Sequence, residues 1–266
     1  LQEAGAVVVY GVMGYKTHAK MLLFVRREGS QLIRYAHLGT GNYHRKTSLL
    51  YTDYSLLTAN EALCTDVHKV FQQITGMGKK LHPKLLVHAP FNLRKAIIKL
   101  IQQEKAMALE GKPTRIIGKM NALTDPAVIK EFYEASQAGV QIDLIVRGTC
   151  CLKPGIANVS KNIRVISVVG RFLEHSRVYH FLNAEHSVYC SSADLMERNL
   201  SNRIEVCFPI LKKKHANRII EELKVYLESP TQTWELNATG EYIERLRQEN
   251  DQLDVQNELL NKLAQT

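Results

Sequence analysis

Two histidines in this chain stand two positions ahead of a cation, in His18-Ala19-Lys20 and in His175-Ser176-Arg177. On extended backbone alternate side chains share a face, so this spacing sets an imidazole beside a fixed positive charge. An imidazole can attack phosphorus, and the neighbouring cation neutralises the oxygens of the phosphate it meets. Each pair is followed by two β-like segments and a turn of small residues, Gly39-Thr40-Gly41-Asn42 in the first copy and Ser191-Ser192-Ala193-Asp194 in the second. From histidine to turn end is 24 positions in the first copy and 19 in the second, the hairpin loop absorbing the difference. A single cluster of this kind has an ordinary alternative, a polar core histidine beside an ion pair. Two copies with matching turns point instead to an internal repeat.

If the halves face each other about a pseudo-twofold axis, both histidines converge on one site. One would attack phosphorus while the other serves as acid, base or phosphate clamp. The turns are expected to hold each histidine in one tautomer through Asn42 and Asp194. Lys20 and Arg177 are expected to neutralise phosphate oxygens. Lys16, Arg171 and Arg198 are further cations suited to line a path for a polyanion, with a solvated surface as the alternative.

The elements that must position these residues read as alternating strands and helices. Ala6 to Gly11 is expected as a buried strand, and Thr17 to Arg26 and Gln31 to Leu38 as a hairpin turning at Glu28-Gly29-Ser30. Thr58-Ala59-Asn60-Glu61 opens a helix that stops at Gly76-Met77-Gly78, and Gly76 to Pro83 reads as a linker. Beyond it come strands at Leu85 to His88, Thr114 to Lys119, Val140 to Val146, Ile163 to Val169, Arg177 to Leu182, Ser187 to Cys190 and Arg203 to Ile210. Helices are expected over Phe91 to Leu109, Asp125 to Ala138 and Ala216 to Leu227, with a terminal helix over Ile243 to Ala264. The pattern gives an α/β fold, divided at the linker into residues 1–83 and 84–266.

Composition bounds the partners. With 266 residues, 45% of them hydrophobic, the chain is long enough for one large or two ordinary domains. The net charge of +9 favours an anionic partner, whether nucleotide, phosphate polymer, nucleic acid or lipid headgroups. Only 7% of residues are aromatic, and none interleave with basic residues along a strand, which disfavours a base-stacking nucleic-acid binder. Five scattered cysteines fit a reduced, cytoplasmic compartment. There is no signal peptide and no apolar run of about 18 residues that would span a bilayer. The opening Leu1-Gln2-Glu3-Ala4-Gly5 reads like a helix end, as though the chain began inside a domain.

The repeat resembles the phospholipase D superfamily, whose His-x-Lys motif continues through four residues to an Asp. Val25 and Leu182 stand at those positions here, which counts against ordinary phosphodiester hydrolysis. Over nearly all its length the chain is similar to the carboxy-terminal part of polyphosphate kinases that phosphorylate themselves on histidine. The residues carrying the resemblance are Tyr15 to Lys20, His37 to Tyr43, Tyr51-Thr52-Asp53, Asp143 to Gly148, Gly170 to Arg177 and Ser192 to Leu200. Where the family has Asn-Pro the chain has His44-Arg45, and Ser191 replaces a glycine.

The resemblance implies two phospholipase-D-like α/β domains related by the repeat, the first truncated at its amino terminus. It implies reversible transfer of the terminal phosphate of ATP to inorganic polyphosphate through a phosphohistidine on His18, with His175 as its catalytic partner. Tyr51, Arg147 and His175 would contact ATP, and Lys16, Lys20, Asn42 and Arg177 would bind phosphate. Mg2+ is implied as cofactor, with ligands upstream of residue 1, and ATP/ADP and polyphosphate as partners, without nucleic acid. A homo-oligomer and peripheral membrane association belong to the same set of expectations. The alternatives are a phospholipase-D-like phosphodiesterase and a non-catalytic polyanion-binding fragment. No Walker-type phosphate loop is present.

Overall fold

The computed structural model describes residues 1–76, 82–229, 231–245 and 254–265. The first strands are β1 (Lys16–Thr17), β2 (Lys20–Glu28) and β3 (Gln31–Gly39). β2 and β3 form the expected hairpin, with Glu28 opposite Gln31 and Gly29 at φ 60° in the two-residue turn. A short helix α1 (Arg45–Ser48) leads to β4 (Tyr51–Thr52) and β5 (Ser55–Thr58), two strands that sequence periodicity does not suggest. β5 completes a three-stranded sheet with β2 and β3. The helix α2 (Glu61–Ile74) starts where Asn60 accepts a hydrogen bond from the Leu63 amide, and Gly76 follows its end at φ 74°. The expected linker lies largely at residues 77–81, outside the described residues.

The second half contributes β6 (Val87–Ala89), α3 (Leu93–Leu109), β7 (Arg115–Met120), α4 (Pro126–Gln137), β8 (Gln141–Val146) and β9 (Ile163–Val168). α4 begins one residue after the expected start, with the Asp125 side chain accepting from the Val128 amide as its cap and Pro126 in the first turn. Then come β10 (Leu173–Glu174), β11 (Arg177–Phe181), β12 (Val188–Ser191), α5 (Glu197–Ser201), β13 (Arg203–Pro209) and α6 (Lys213–Glu228). The hairpin β14 (Thr233–Leu236) and β15 (Tyr242–Glu244) precedes α7 (Val255–Ala264).

A ten-stranded mixed sheet runs β1-β13-β12-β11-β7-β8-β9-β14-β15, with β6 also paired to β13. Alternation along its strands feeds two cores. Ile117, Ile145, Ile166, Val178 and Val206 face the core shared with α2 and α6. Their neighbours Ile116, Leu144, Val165, Tyr179 and Cys207 face the core shared with α3 and α4. Two short parallel pairings join the halves: β1 with β13, and β4 with β10.

Two expectations fail. Ala6 to Gly11 forms no strand, and Val7 and Tyr10 are 94% and 90% exposed. A β-branched run becomes a strand only beside a partner strand, and this one has none among the described residues. The terminal helix does not begin at Ile243. Residues 242–244 pair with β14 instead, and the Asn237 side chain accepts from the Thr239 and Glu241 amides to close that hairpin. Among the described residues no helix is long and apolar enough to cross a membrane.

One buried carboxylate ties the two stretches flanking residues 77–81. Asp66, 1% exposed on α2, accepts hydrogen bonds from the amides of Lys84, Leu85 and Leu86 at 2.8, 2.6 and 3.1 Å. Asp66→Ala leaves these donors without a partner and is expected to cost about 3 kcal/mol of stability. Chemical denaturation checks this, and an unchanged midpoint would contradict the tie.

Candidate active site

The site lies where β7 and β8 end at their carboxyl edge and β11 begins. Val178 pairs with Lys119 there, and Arg147 follows β8 directly. From the first half, the chain between β1 and β2 delivers His18, and Lys20 opens β2. The second copy repeats this with His175 ahead of Arg177, the first residue of β11.

Each histidine is held by a carboxylate from the other half of the chain. His18 Nδ1 lies 2.8 and 2.9 Å from the two Glu205 carboxylate oxygens, and Glu205 is fully buried on β13. His175 Nδ1 lies 2.9 Å from both oxygens of Asp53, which follows β4. A carboxylate facing Nδ1 places the hydrogen on Nδ1 and leaves the lone pair on Nε2. A cation occupies each lone pair: Lys20 Nζ at 2.9 Å from His18 Nε2, and Arg177 Nη1 at 3.1 Å from His175 Nε2.

This arrangement corrects the roles expected of Asn42 and Asp194. Asn42 is exposed and does not hold His18. Asp194 binds Arg177 instead of His175, accepting from Nε at 3.2 Å and Nη2 at 3.0 Å. Neither turn end is where the histidine points; the hydroxyl of each turn acts instead. Ser192 Oγ donates to Glu205 at 2.5 Å, and Thr40 Oγ1 donates to Asp53 at 2.6 Å. Each turn therefore steadies the carboxylate that serves the other copy's histidine. Gly41 makes room for this, because a Cβ there would lie 2.2 Å from an Asp53 carboxylate oxygen.

The halves meet electrostatically. Arg177 Nη1 reaches the Thr40 carbonyl at 3.5 Å. Burial brings the Lys20 ammonium down to about 8; Glu205 and Asp53 oppose the fall, while Arg177 and Arg203 add to it. Burial also holds the His175 imidazole below its ordinary value, with Asp53 opposing and Arg177 and Lys20 reinforcing. For Asp194 burial acts upward, but the charge and hydrogen bonds of Arg177 outweigh it and leave the carboxyl below the usual range.

Arg147 Nη1 donates to the Glu174 carbonyl at 2.9 Å, and the Tyr51 ring lies 5.0 Å from that of His175. A cavity of about 440 Å3 opens beside them, lined in part by Tyr51, Asp53, Phe172 and Gln256. Lys16, Arg171 and Arg198 are exposed, with Arg171 stacked over Phe172 at 5.2 Å. Val25 and Leu182, at the positions of the superfamily acid, are 52% and 45% exposed. Among the described residues no group of three or more His, Cys, Asp or Glu side chains could hold a metal ion. Glu205, Asp53 and Asp194 are each committed to a histidine or arginine. This donor set does not fit Mg2+, and no step below passes through it.

Comparison with known families settles the relationship. The family described as polyphosphate kinase C-terminal domain 2 matches residues 85–256, and C-terminal domain 1 matches residues 1–80. The chain belongs to the polyphosphate kinase family. It is 58% identical over 267 aligned residues to a polyphosphate kinase of Pseudomonas aeruginosa, covering 99% of this chain and 39% of that protein. A polyphosphate kinase of Pseudomonas syringae pv. tomato is 57% identical over 244 residues, covering 91% of this chain and 33% of that one. The crystal structure of polyphosphate kinase from Porphyromonas gingivalis superposes with a TM-score of 0.92 at 36% identity, over 99% of this chain and 41% of that one. The chain thus spans well under half the length of these relatives.

Sequence reading gave no role to Glu205 or Asp53. A signal for Glu205 exists, since it is an acid inside the apolar run Ile204-Glu205-Val206-Cys207-Phe208.

The Lys20 ammonium loses its charge as pH rises through about 8. Tripolyphosphate affinity of the full-length protein is therefore expected to fall between pH 7 and 9 with a midpoint near 8. Lys20→Arg should remove that midpoint. Calorimetric titration at several pH values checks it, and a flat profile in the unaltered protein would contradict the assignment.

Proposed function

We propose that the chain forms the catalytic region of an ATP:polyphosphate phosphotransferase in which His18 carries the phosphate. The observation supporting this reading most strongly is the paired geometry in which each Nδ1 faces a carboxylate and each Nε2 faces a cation.

In this reading His18 Nε2 attacks the γ-phosphorus of ATP. A P–N bond forms, the bond from phosphorus to the bridging oxygen breaks, and ADP leaves with that electron pair. Lys20 passes from the imidazole lone pair to the phosphoryl oxygens, and Arg177 and Arg147 spread further positive charge around them. The Nδ1 hydrogen, held by Glu205, supports the positive charge that develops on the ring. A terminal oxygen of polyphosphate then attacks the phosphohistidine, restoring the free imidazole and lengthening the polymer by one phosphate. The same steps run backwards when ADP attacks. His175, held by Asp53 at Nδ1, takes up a proton on Nε2 as Arg177 turns to the phosphate, and so clamps the phosphate from the opposite side, with Tyr51 and Arg147 beside it to receive the nucleotide. The compartment proposed is the cytoplasm, with Mg2+ bound by groups other than the carboxylates described above.

With γ-labelled ATP, the full-length protein is expected to take up label in an acid-labile, base-stable form. His18→Ala should abolish labelling, and Glu205→Gln should slow it by roughly 100-fold or more through loss of the favoured tautomer. Normal labelling of His18→Ala would sink the assignment. Release of product from a diester without ATP would favour a phosphodiesterase instead.

A further inference from the structure

Beneath the segment carrying His175 lies a buried carboxylate whose partners come from four separate elements. Glu174 is 4% exposed. One of its oxygens binds Lys119 Nζ, the Tyr226 hydroxyl and Thr52 Oγ1, each at 2.8 Å. The other accepts from Gln256 Nε2 at 2.7 Å. An ionised carboxylate this deep is tolerated because both of its oxygens have donors, one of them a cation. Burial acts upward on it, but Lys119 and the hydrogen bonds from Gln256 and Thr52 outweigh this and keep it below the usual carboxylate range.

Gln256 sits in the first turn of α7 and is 4% exposed. Its amide also pairs with Phe172 as a neighbouring strand would, accepting from the Phe172 amide at 2.8 Å and donating to the Phe172 carbonyl at 2.8 Å. Gly170 lets it come so close, since a Cβ there would lie 2.6 Å from Gln256 Oε1 and 2.8 Å from Cδ. What Gln256 holds matters for the site. The Glu174 carbonyl receives Arg147, and the next residue is His175. The Thr52 hydroxyl that donates to Glu174 also accepts from the His175 amide at 3.3 Å.

We infer that Gln256 on α7 is a positioning residue, fixing Phe172 to Glu174 so that His175 and Arg147 face the transferred phosphate and nucleotide. The inference rests on the phosphoryl-transfer reading for its consequence in catalysis, though not for its geometry. The helix at the end of the chain is then part of the site's support, with Leu259, Leu260 and Leu263 lining the same cavity as Tyr51 and Phe172.

Gln256→Met keeps the packing volume and removes the hydrogen bonds; Gly170→Ala sets a Cβ against the same amide, and against Gln232 Oε1 at 2.9 Å. In the full-length protein both are expected to lower kcat/KM for ATP by roughly 10- to 100-fold, chiefly through a higher KM, and to lower the melting temperature by roughly a few degrees as a buried carboxylate oxygen loses its donor. A second readout needs no turnover: titration of 13C-labelled histidines by NMR. The His175 midpoint should rise towards the ordinary imidazole value as its burial relaxes among Asp53, Arg177 and Lys20. Unchanged KM with an unchanged His175 titration would overturn the inference. So would disturbance of resonances throughout the chain to the same degree, the sign of a general loss of fold. If the unaltered protein transfers no phosphate from ATP, the phosphoryl-transfer reading fails, and the His175 titration still decides the role of Gln256.

Discussion

The two halves of the chain exchange carboxylates, and the candidate site depends on that exchange. His18 takes its hydrogen-bond partner from β13, and His175 takes its partner from the loop after β4. Neither half alone would present an imidazole with a fixed tautomer. The short pairings of β1 with β13 and β4 with β10 bring just these residues into register: Thr17 lies opposite Ile204, next to Glu205, and Thr52 lies opposite Glu174, next to His175. Each small-residue turn supplies the hydroxyl that steadies the carboxylate serving the other half, Thr40 for Asp53 and Ser192 for Glu205.

Charge in the site is balanced so that an anion can change it. Lys20, Arg177, Arg147 and Arg203 gather around Glu205, Asp53 and Asp194, and two of the cations rest on imidazole lone pairs. A bare lone pair offers a cation far less than phosphate oxygens do, so in the proposed reading an arriving phosphate draws both cations away and frees each Nε2 as it binds. Burial of Lys20 sharpens this: its ammonium has poor solvation and gains more from an anion than a surface lysine would.

What could be read from the sequence was local. The histidine–cation pairs, the hairpin at Gly29-Ser30 and the caps at Asn60 and Asp125 are set within a few residues, and the fold keeps them. The carboxylates were hidden because their partners lie 187 and 122 positions away. Asn42 and Asp194 were nearer in sequence, but nearness along the chain does not decide what faces Nδ1. The run from Ala6 to Gly11 has strand composition without a neighbouring strand, and Ile243 sits in a hairpin closed by Asn237. Both depend on pairing that residue type alone does not determine. The buried Lys119–Glu174 pair and its link to Gln256 belong to the same class, assembled from segments distant in sequence.

In the proposed mechanism Glu205 keeps Nδ1 of His18 occupied so that phosphate attaches to Nε2. Phosphorus NMR of the full-length protein after brief exposure to ATP, with selective histidine labelling, tests this directly. A single phosphohistidine at position 18, with phosphorus bonded to Nε2, is expected. Phosphate on Nδ1 of His18, or on His175, would contradict it.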